Sequence, residues 1–266
     1  MNKKYLIVSG DSFTEGHDMG EQASWAYWVA KKMNLELINL ACGGKGNEWI
    51  SNNLLSYLAT MEIPYEECIV MVGWSDLSRQ MVFLDYETKD ESAGLVDVVI
   101  GDLLHPSENL ESMPKIKYIY ENRKSLYPIF SSVVWCLFRT YQSIFYTKLF
   151  LENNNIPFIF FDVITDNKVY YNNKIPYIKK SYLDFMNEEL EKIPYIDDVI
   201  TGMISQKNVN NIFNENYINF DGKPVMGWLK FDGHFKYEDG NEGHTNIKGA
   251  EKISEYIIDN FKKIYE

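Results

Sequence analysis

Four short apolar runs, each halted by glycine or by polar residues, constrain this chain more than any other feature. Lys4–Ser9 carries Tyr5-Leu6-Ile7-Val8 and stops at Gly10, and Leu35–Leu40 runs towards Gly43-Gly44-Lys45-Gly46. Cys68–Val72 stops at Gly73, and Ile156–Phe161 follows Asn153-Asn154-Asn155. Near-continuous apolar runs of this length are the mark of strands buried on both faces. Segments of helical period lie between them. Ser24–Met33 sets Trp25, Trp28, Val29 and Met33 on one face, with Ser24 as N-cap. A helix is expected from Glu48 to Thr60, before the break at Pro64, and another over Ile129–Asn153. The latter repeats Val134, Leu137, Tyr141, Ile144, Phe145 and Leu149 at three- and four-residue steps. The chain closes on Asn246–Tyr265, with Ile247, Ala250, Ile253, Ile257 and Phe261 in register. Strand–helix alternation with short links calls for right-handed crossovers and a parallel sheet, hence an α/β domain.

The 266 residues read as one domain, 1–266, with no repeat and no linker. Two variable stretches interrupt the alternation, at about 78–127 and 162–238, and read as insertions. The second contains a helical pattern near Ser181–Lys192 and the tyrosines Tyr170, Tyr171, Tyr177 and Tyr182. Those rings suit an aromatic wall for stacking on sugars as well as ordinary core packing. A net charge of −12 argues against nucleic acid as a partner, since phosphate backbones demand a dense Lys/Arg surface. Cys42, Cys68 and Cys136 are odd in number and widely spaced, so they read as reduced thiols in the core or near the site. The apolar run after Lys4 is too short for a secretory signal, and none approaches the ~20 residues of a membrane span. The expectation is a soluble protein without membrane insertion, cytoplasmic or released with a larger particle.

Ligands of open parallel sheets bind beyond the carboxyl ends of the strands. After the first strand comes Gly10-Asp11-Ser12-Phe13-Thr14-Glu15-Gly16. A serine at this turn presents a hydroxyl and a backbone N–H to the binding edge, as an acyl-transfer nucleophile needs. Ser12 as a plain helix N-cap is the rival reading. After the second strand comes Asn39-Leu40-Ala41-Cys42-Gly43-Gly44-Lys45-Gly46-Asn47, where the N–H of Gly44 can point at a developing oxyanion. The spacing fits neither phosphate-binding glycine motif. After the third strand, Gly73-Trp74-Ser75-Asp76-Leu77-Ser78-Arg79 places the Ser75 hydroxyl at the same edge. Asp76 can hold that turn, and Arg79 reads as a substrate clamp or as a surface partner of Asp76. Near the C-terminus, His244 stands immediately before the final helix, placed to reach back to Ser12 as general base and then acid. His234 with Asp232, His244 and Asp239 match no familiar metal-ligand spacing, so no metal and no cofactor are expected. His17 and His105 read as surface residues.

In their order these segments resemble the SGNH (GDSL-type) hydrolase family. Gly10-Asp11-Ser12 matches its first block, and Asn39-Leu40-Ala41 with Gly44 and Asn47 resembles its second. Gly73-x-Ser75-Asp76 is similar to its Gly-x-Asn-Asp block, and His244-Thr245-Asn246-x-x-Gly249 to its His-Pro-Asn-x-x-Gly end. The resemblance covers roughly residues 4–80, 129–161 and 239–262. It implies a three-layer α/β/α sandwich with a central parallel sheet of flavodoxin-like type. It further implies Ser12 as nucleophile, His244 as base, and an oxyanion hole built from the N–H groups of Ser12 and Gly44 with Ser75.

Two departures stand out. The third block offers a Ser75 hydroxyl where the family offers an Asn amide; Asn47 is the alternative amide, and a lost oxyanion donor costs about 3 kcal/mol. The family's acid, three residues before the histidine, is replaced by Asn241. Asp239 or Glu242, and less directly Asp232, can stand in for it, or a Ser–His dyad can rely on a backbone carbonyl. Asp11, Asn47 and Arg79 remain as substrate-binding candidates. The expected function is ester hydrolysis, on a small ester or an O-acetylated saccharide. The rivals are a non-catalytic glycan-binding or structural module on a degenerate scaffold, and acyl transfer to a sugar.

Overall fold

Strand β1 (Tyr5–Ser9) shows how the sheet is built. Leu6 and Val8 point to one face and Ile7 to the other, all fully buried, as the period-2 alternation of a strand requires. A computed structural model describes residues 3–16, 20–77, 79–84, 94–99, 133–164, 212–231 and 244–266. In chain order its further elements are α1 (Ser12–Glu15), α2 (Trp25–Met33), β2 (Glu36–Asn39), α3 (Asn47–Thr60) and β3 (Cys68–Trp74). Then come β4 (Arg79–Leu84), β5 (Gly94–Val99), α4 (Val133–Asn153) and β6 (Phe158–Asp162). The last are β7 (Tyr217–Ile218), α5 (Val225–Phe231) and α6 (Ile247–Tyr265).

Five strands form one sheet in the order β2-β1-β3-β6-β7, every pair parallel. The middle strand, β3, is buried at all seven positions, which accounts for its unbroken apolar run. On one face Ile7, Val70, Val72, Phe158 and Phe160 pack with Ile50, Leu54 and Leu58 of α3 and Tyr141, Ile144 and Leu151 of α4. On the other, Leu6, Val8, Ile69, Met71, Ile159 and Phe161 pack with Trp25, Ala26 and Val29 of α2 and Ile253, Ile257 and Phe261 of α6. Helices on both faces make the three-layer α/β/α sandwich. This strand order reverses direction between β1 and β3, which opens a crevice at their carboxyl ends.

The sequence expectations hold for β1–β3, α2, α3, α4, β6 and α6, with ends displaced by a few residues. Ser24 is the N-cap of α2 and accepts the N–H of Ala26 at 3.1 Å. Four elements arise where insertions were expected. β4 and β5 pair antiparallel as a hairpin within 78–127, and β7 with α5 lies within 162–238. The helix expected near Ser181–Lys192 and the tyrosines Tyr170, Tyr171, Tyr177 and Tyr182 lie outside the described residues, as do His17 and His105. None of the three cysteines is in a disulfide. Burial pushes the Cys68 thiol up to about 11 and the Cys136 thiol up to about 12, so neither forms a nucleophilic thiolate at neutral pH.

Gly46 shows how tightly the loop before α3 is seated. A Cβ there would lie 2.3 Å from the Arg79 carbonyl oxygen and 2.9 Å from its carbon. Both atoms are backbone and cannot rotate aside. Gly46→Ala is therefore expected to cost about 1–3 kcal/mol of stability, read as a lowered urea midpoint. An unchanged midpoint would mean that the loop moves freely.

Candidate functional site

The residues after β1, β2 and β3 meet at the crevice. Asp11 caps the short helix α1: its Oδ1 accepts the N–H of Phe13 at 3.1 Å, and its carbonyl accepts those of Thr14 and Glu15. Ser12 is thereby the first helical residue rather than the cap. Its N–H finds no acceptor among the described residues, as expected of the first turn of a helix, and its hydroxyl likewise makes no hydrogen bond there. The Ser12 side chain stays nearly buried. Gly10 can only be glycine, because a Cβ would lie 2.2 Å from the Thr14 hydroxyl oxygen.

The loop after β2 is tied to the same helix. The N–H of Gly43 donates to Glu15 Oε2 at 2.7 Å, that of Cys42 to the Gly10 carbonyl at 3.2 Å, and the Asn39 amide to the Thr14 carbonyl at 3.2 Å. Gly44 follows with φ +76°, a conformation that favours glycine. Its N–H has no acceptor among the described residues. Two unengaged backbone donors, those of Ser12 and Gly44, thus stand on segments bound directly to each other.

After β3 the side chains are densely engaged. Ser75 is fully buried; its N–H donates to Asn47 Oδ1 at 2.7 Å and its carbonyl accepts from Asn47 Nδ2 at 3.1 Å. Asn47 Nδ2 also reaches the Thr140 hydroxyl at 3.3 Å. The Ser75 hydroxyl donates to Asp11 Oδ2 at 3.0 Å and accepts from Arg79 Nη1 at 3.1 Å. Arg79 Nη1 lies 3.4 Å from Asp11 Oδ2 as well. The ion-pair partner of Arg79 is therefore Asp11 and not Asp76, which instead accepts the Arg79 N–H on its carbonyl at 3.1 Å. Burial pushes the Asp11 carboxyl above its ordinary value. Arg79, the Phe13 N–H, the Ser75 hydroxyl and the charge of His244 pull it back without cancelling that rise.

His244 arrives from the far end of the chain. Its ring lies 5.2 Å from that of Phe13, centroid to centroid, at 36°. The next residue anchors it: the buried Thr245 hydroxyl donates to the Ala23 carbonyl at 3.1 Å, and Asn246 caps α6 by accepting the Gly249 N–H. Asp11, Ser12, Gly44, Asn47, Ser75, Arg79 and His244 are thus gathered at one edge. Asp239, Glu242, Asn241, Asp232 and His234 lie outside the described residues. Sequence reasoning did not foresee Glu15, Thr14 and Thr140 as fasteners of this edge, since nothing in their local pattern distinguishes them. Among the described residues no three His, Cys, Asp or Glu side chains cluster as metal ligands, and no helix is long and apolar enough to cross a membrane.

No family profile and no curated protein matches the sequence. Solved structures do. The psychrotrophic esterase EstA from Pseudoalteromonas sp. is similar at 12% identity and a TM-score of 0.47, over 98% of each chain. A member of the lipolytic protein G-D-S-L family from Veillonella parvula aligns at 11% identity and 0.42, again over 98% of each. The acetyl xylan esterase Est2A from the rumen bacterium Butyrivibrio proteoclasticus aligns at 13% and 0.46, over all of this chain and 66% of the other. In its ordered sequence blocks this chain resembles the SGNH, or GDSL-type, hydrolases.

Proposed function

We propose that the protein is a serine ester hydrolase working from Ser12. The Ser12 oxygen attacks the acyl carbonyl while His244 takes its proton; the tetrahedral oxyanion rests on the N–H groups of Ser12 and Gly44. The carbon–oxygen bond to the alcohol then breaks, and the imidazolium returns the proton to the departing alkoxide. Water, deprotonated by His244, attacks the acyl-serine and releases the acid with the Ser12 hydroxyl restored. Asp239 or Glu242 serves as the carboxylate that orients the imidazole. Ser75 and Asn47 brace the edge, and the substrate is a small ester, with an O-acetylated saccharide as the favoured class. No cofactor enters the scheme.

The observation that supports this most is the juxtaposition of His244 with Phe13, the neighbour of Ser12, at 5.2 Å between rings. That contact brings the His244 ring to the turn that carries Ser12, beside the edge where sheets of this order bind ligands. The test is reaction with a fluorophosphonate, read by intact mass and by peptide mapping, alongside acetate release from an acetylated xylo-oligosaccharide. Single labelling at Ser12 with acetate release is expected. A folded chain that stays unlabelled would favour the second reading, a non-catalytic binding module, which the replacement of the family's acid by Asn241 motivates.

A further inference from the structure

We infer that Arg79 supplies the third donor to the oxyanion, with its guanidinium standing where Ser75 and Asn47 offer none. The inference rests on the ester-hydrolase reading above.

Three groups at this edge are chemically able to complete the hole, and the hydrogen bonds separate them. A serine hydroxyl has one proton, and that of Ser75 goes to Asp11 Oδ2 at 3.0 Å. The Asn47 amide is used at both ends, accepting the Ser75 N–H and donating to the Ser75 carbonyl and the Thr140 hydroxyl. Arg79 differs. Only its Nη1 is engaged, by Ser75 Oγ and Asp11 Oδ2, and its Nε and Nη2 hydrogens meet no acceptor among the described residues. A guanidinium carries five donors in a rigid fork, so anchoring it through one nitrogen leaves the others available.

Its placement follows from both neighbouring donors. Asp11, which holds Arg79, is bonded covalently to Ser12. Gly46, two residues after Gly44, sits so close to the Arg79 carbonyl that no Cβ fits between them. Arg79 is therefore held to both segments that carry the unengaged N–H groups, by its side chain to Asp11 and by its backbone against Gly46, and its side chain keeps 19% of its surface exposed. A fixed positive charge beside a developing oxyanion in a largely dry site stabilises the transition state more than the neutral ester. Ser75 is then a positioning residue, relaying between Arg79 and Asp11.

The experiment measures kcat and KM of Arg79→Lys and Arg79→Ala on 4-nitrophenyl acetate, together with the rate of Ser12 phosphonylation by a 4-nitrophenyl alkylphosphonate. Arg79→Lys keeps a cation for Asp11 and guards against misfolding. Arg79→Ala is expected to lose about 10²–10³ in kcat, with KM within about threefold, phosphonylation slowed in parallel, and partial rescue by added guanidinium ion. Arg79→Lys should fall between the two, since one ammonium cannot hold both anchor and oxyanion. Wild-type kcat in Arg79→Lys, or a loss confined to KM, overturns the donor role alone. A wild-type chain that neither turns over nor labels overturns the hydrolase reading and the role of Arg79 with it.

Discussion

Ser12→Ala is expected to lower kcat on a short-chain aryl ester by about 10⁴–10⁶-fold while leaving the fold untouched. The magnitude follows from the proposed role of Ser12 as the nucleophile: removing the group that forms the covalent intermediate of a serine hydrolase leaves little beyond binding and oxyanion stabilisation. The neutrality towards folding follows from this structure. The Ser12 hydroxyl makes no hydrogen bond among the described residues, and α1 is capped by Asp11 rather than by Ser12. Alanine is also a better helix former. Thermal unfolding should shift by no more than a couple of degrees, in keeping with a substitution that breaks no contact. Steady-state kinetics on purified protein decide the matter: turnover within tenfold of wild type would remove Ser12 from the chemistry.

Asp11→Ala is expected to be the most destabilising single change at this edge, by about 3 kcal/mol. The Asp11 carboxylate is fully buried and accepts from the Phe13 N–H, the Ser75 hydroxyl and Arg79. Removing it uncaps α1, at a cost of about 1 kcal/mol, and strands a largely buried cation. Breaking a buried pair by deleting one partner typically costs about 3–5 kcal/mol; the lower end applies because Arg79 keeps some access to water. Asp11→Asn retains a capping oxygen and should cost less. The two variants also separate charge from shape through pH. Burial dominates and raises the Asp11 pKa above its ordinary 3.8, so the folded chain holds this proton more tightly than the unfolded one. The stability this proton contributes is present below 3.8 and falls as pH rises through the window from there to the folded value. Asp11→Asn lacks that falling component. Urea midpoints measured between about pH 3.5 and 7 should therefore decline less with pH in Asp11→Asn than in wild type. Identical slopes would mean that Asp11 does not titrate in that range.

Much of the scaffold was legible because its signals are local. The run Cys68–Val72 announces a strand buried on both faces, and it forms the centre of the sheet. The spacing of Ile253, Ile257 and Phe261 announces one face of a helix, and all three lie in the core. Elements without a local signature escaped. β7 has only two residues, too few for any period, and is a strand because it pairs in parallel with β6 through Phe160–Tyr217 and Phe161–Ile218. The β4–β5 hairpin lies in a stretch whose mixed polarity hides its alternation.

The chemistry divides in the same way. The residue types after each strand, Gly10-Asp11-Ser12, Gly44, Ser75 and His244, were determined by the sequence alone, because backbone turns and side-chain functions are properties of short segments. Which hydroxyl gives its proton to which carboxylate was decided by the tertiary structure. Ser75 and Arg79 reach Asp11 across 64 and 68 residues, and only a parallel sheet with its direction change between β1 and β3 brings those three turns together. A hydrogen bond has one donor and one place to point, and chain topology chooses it.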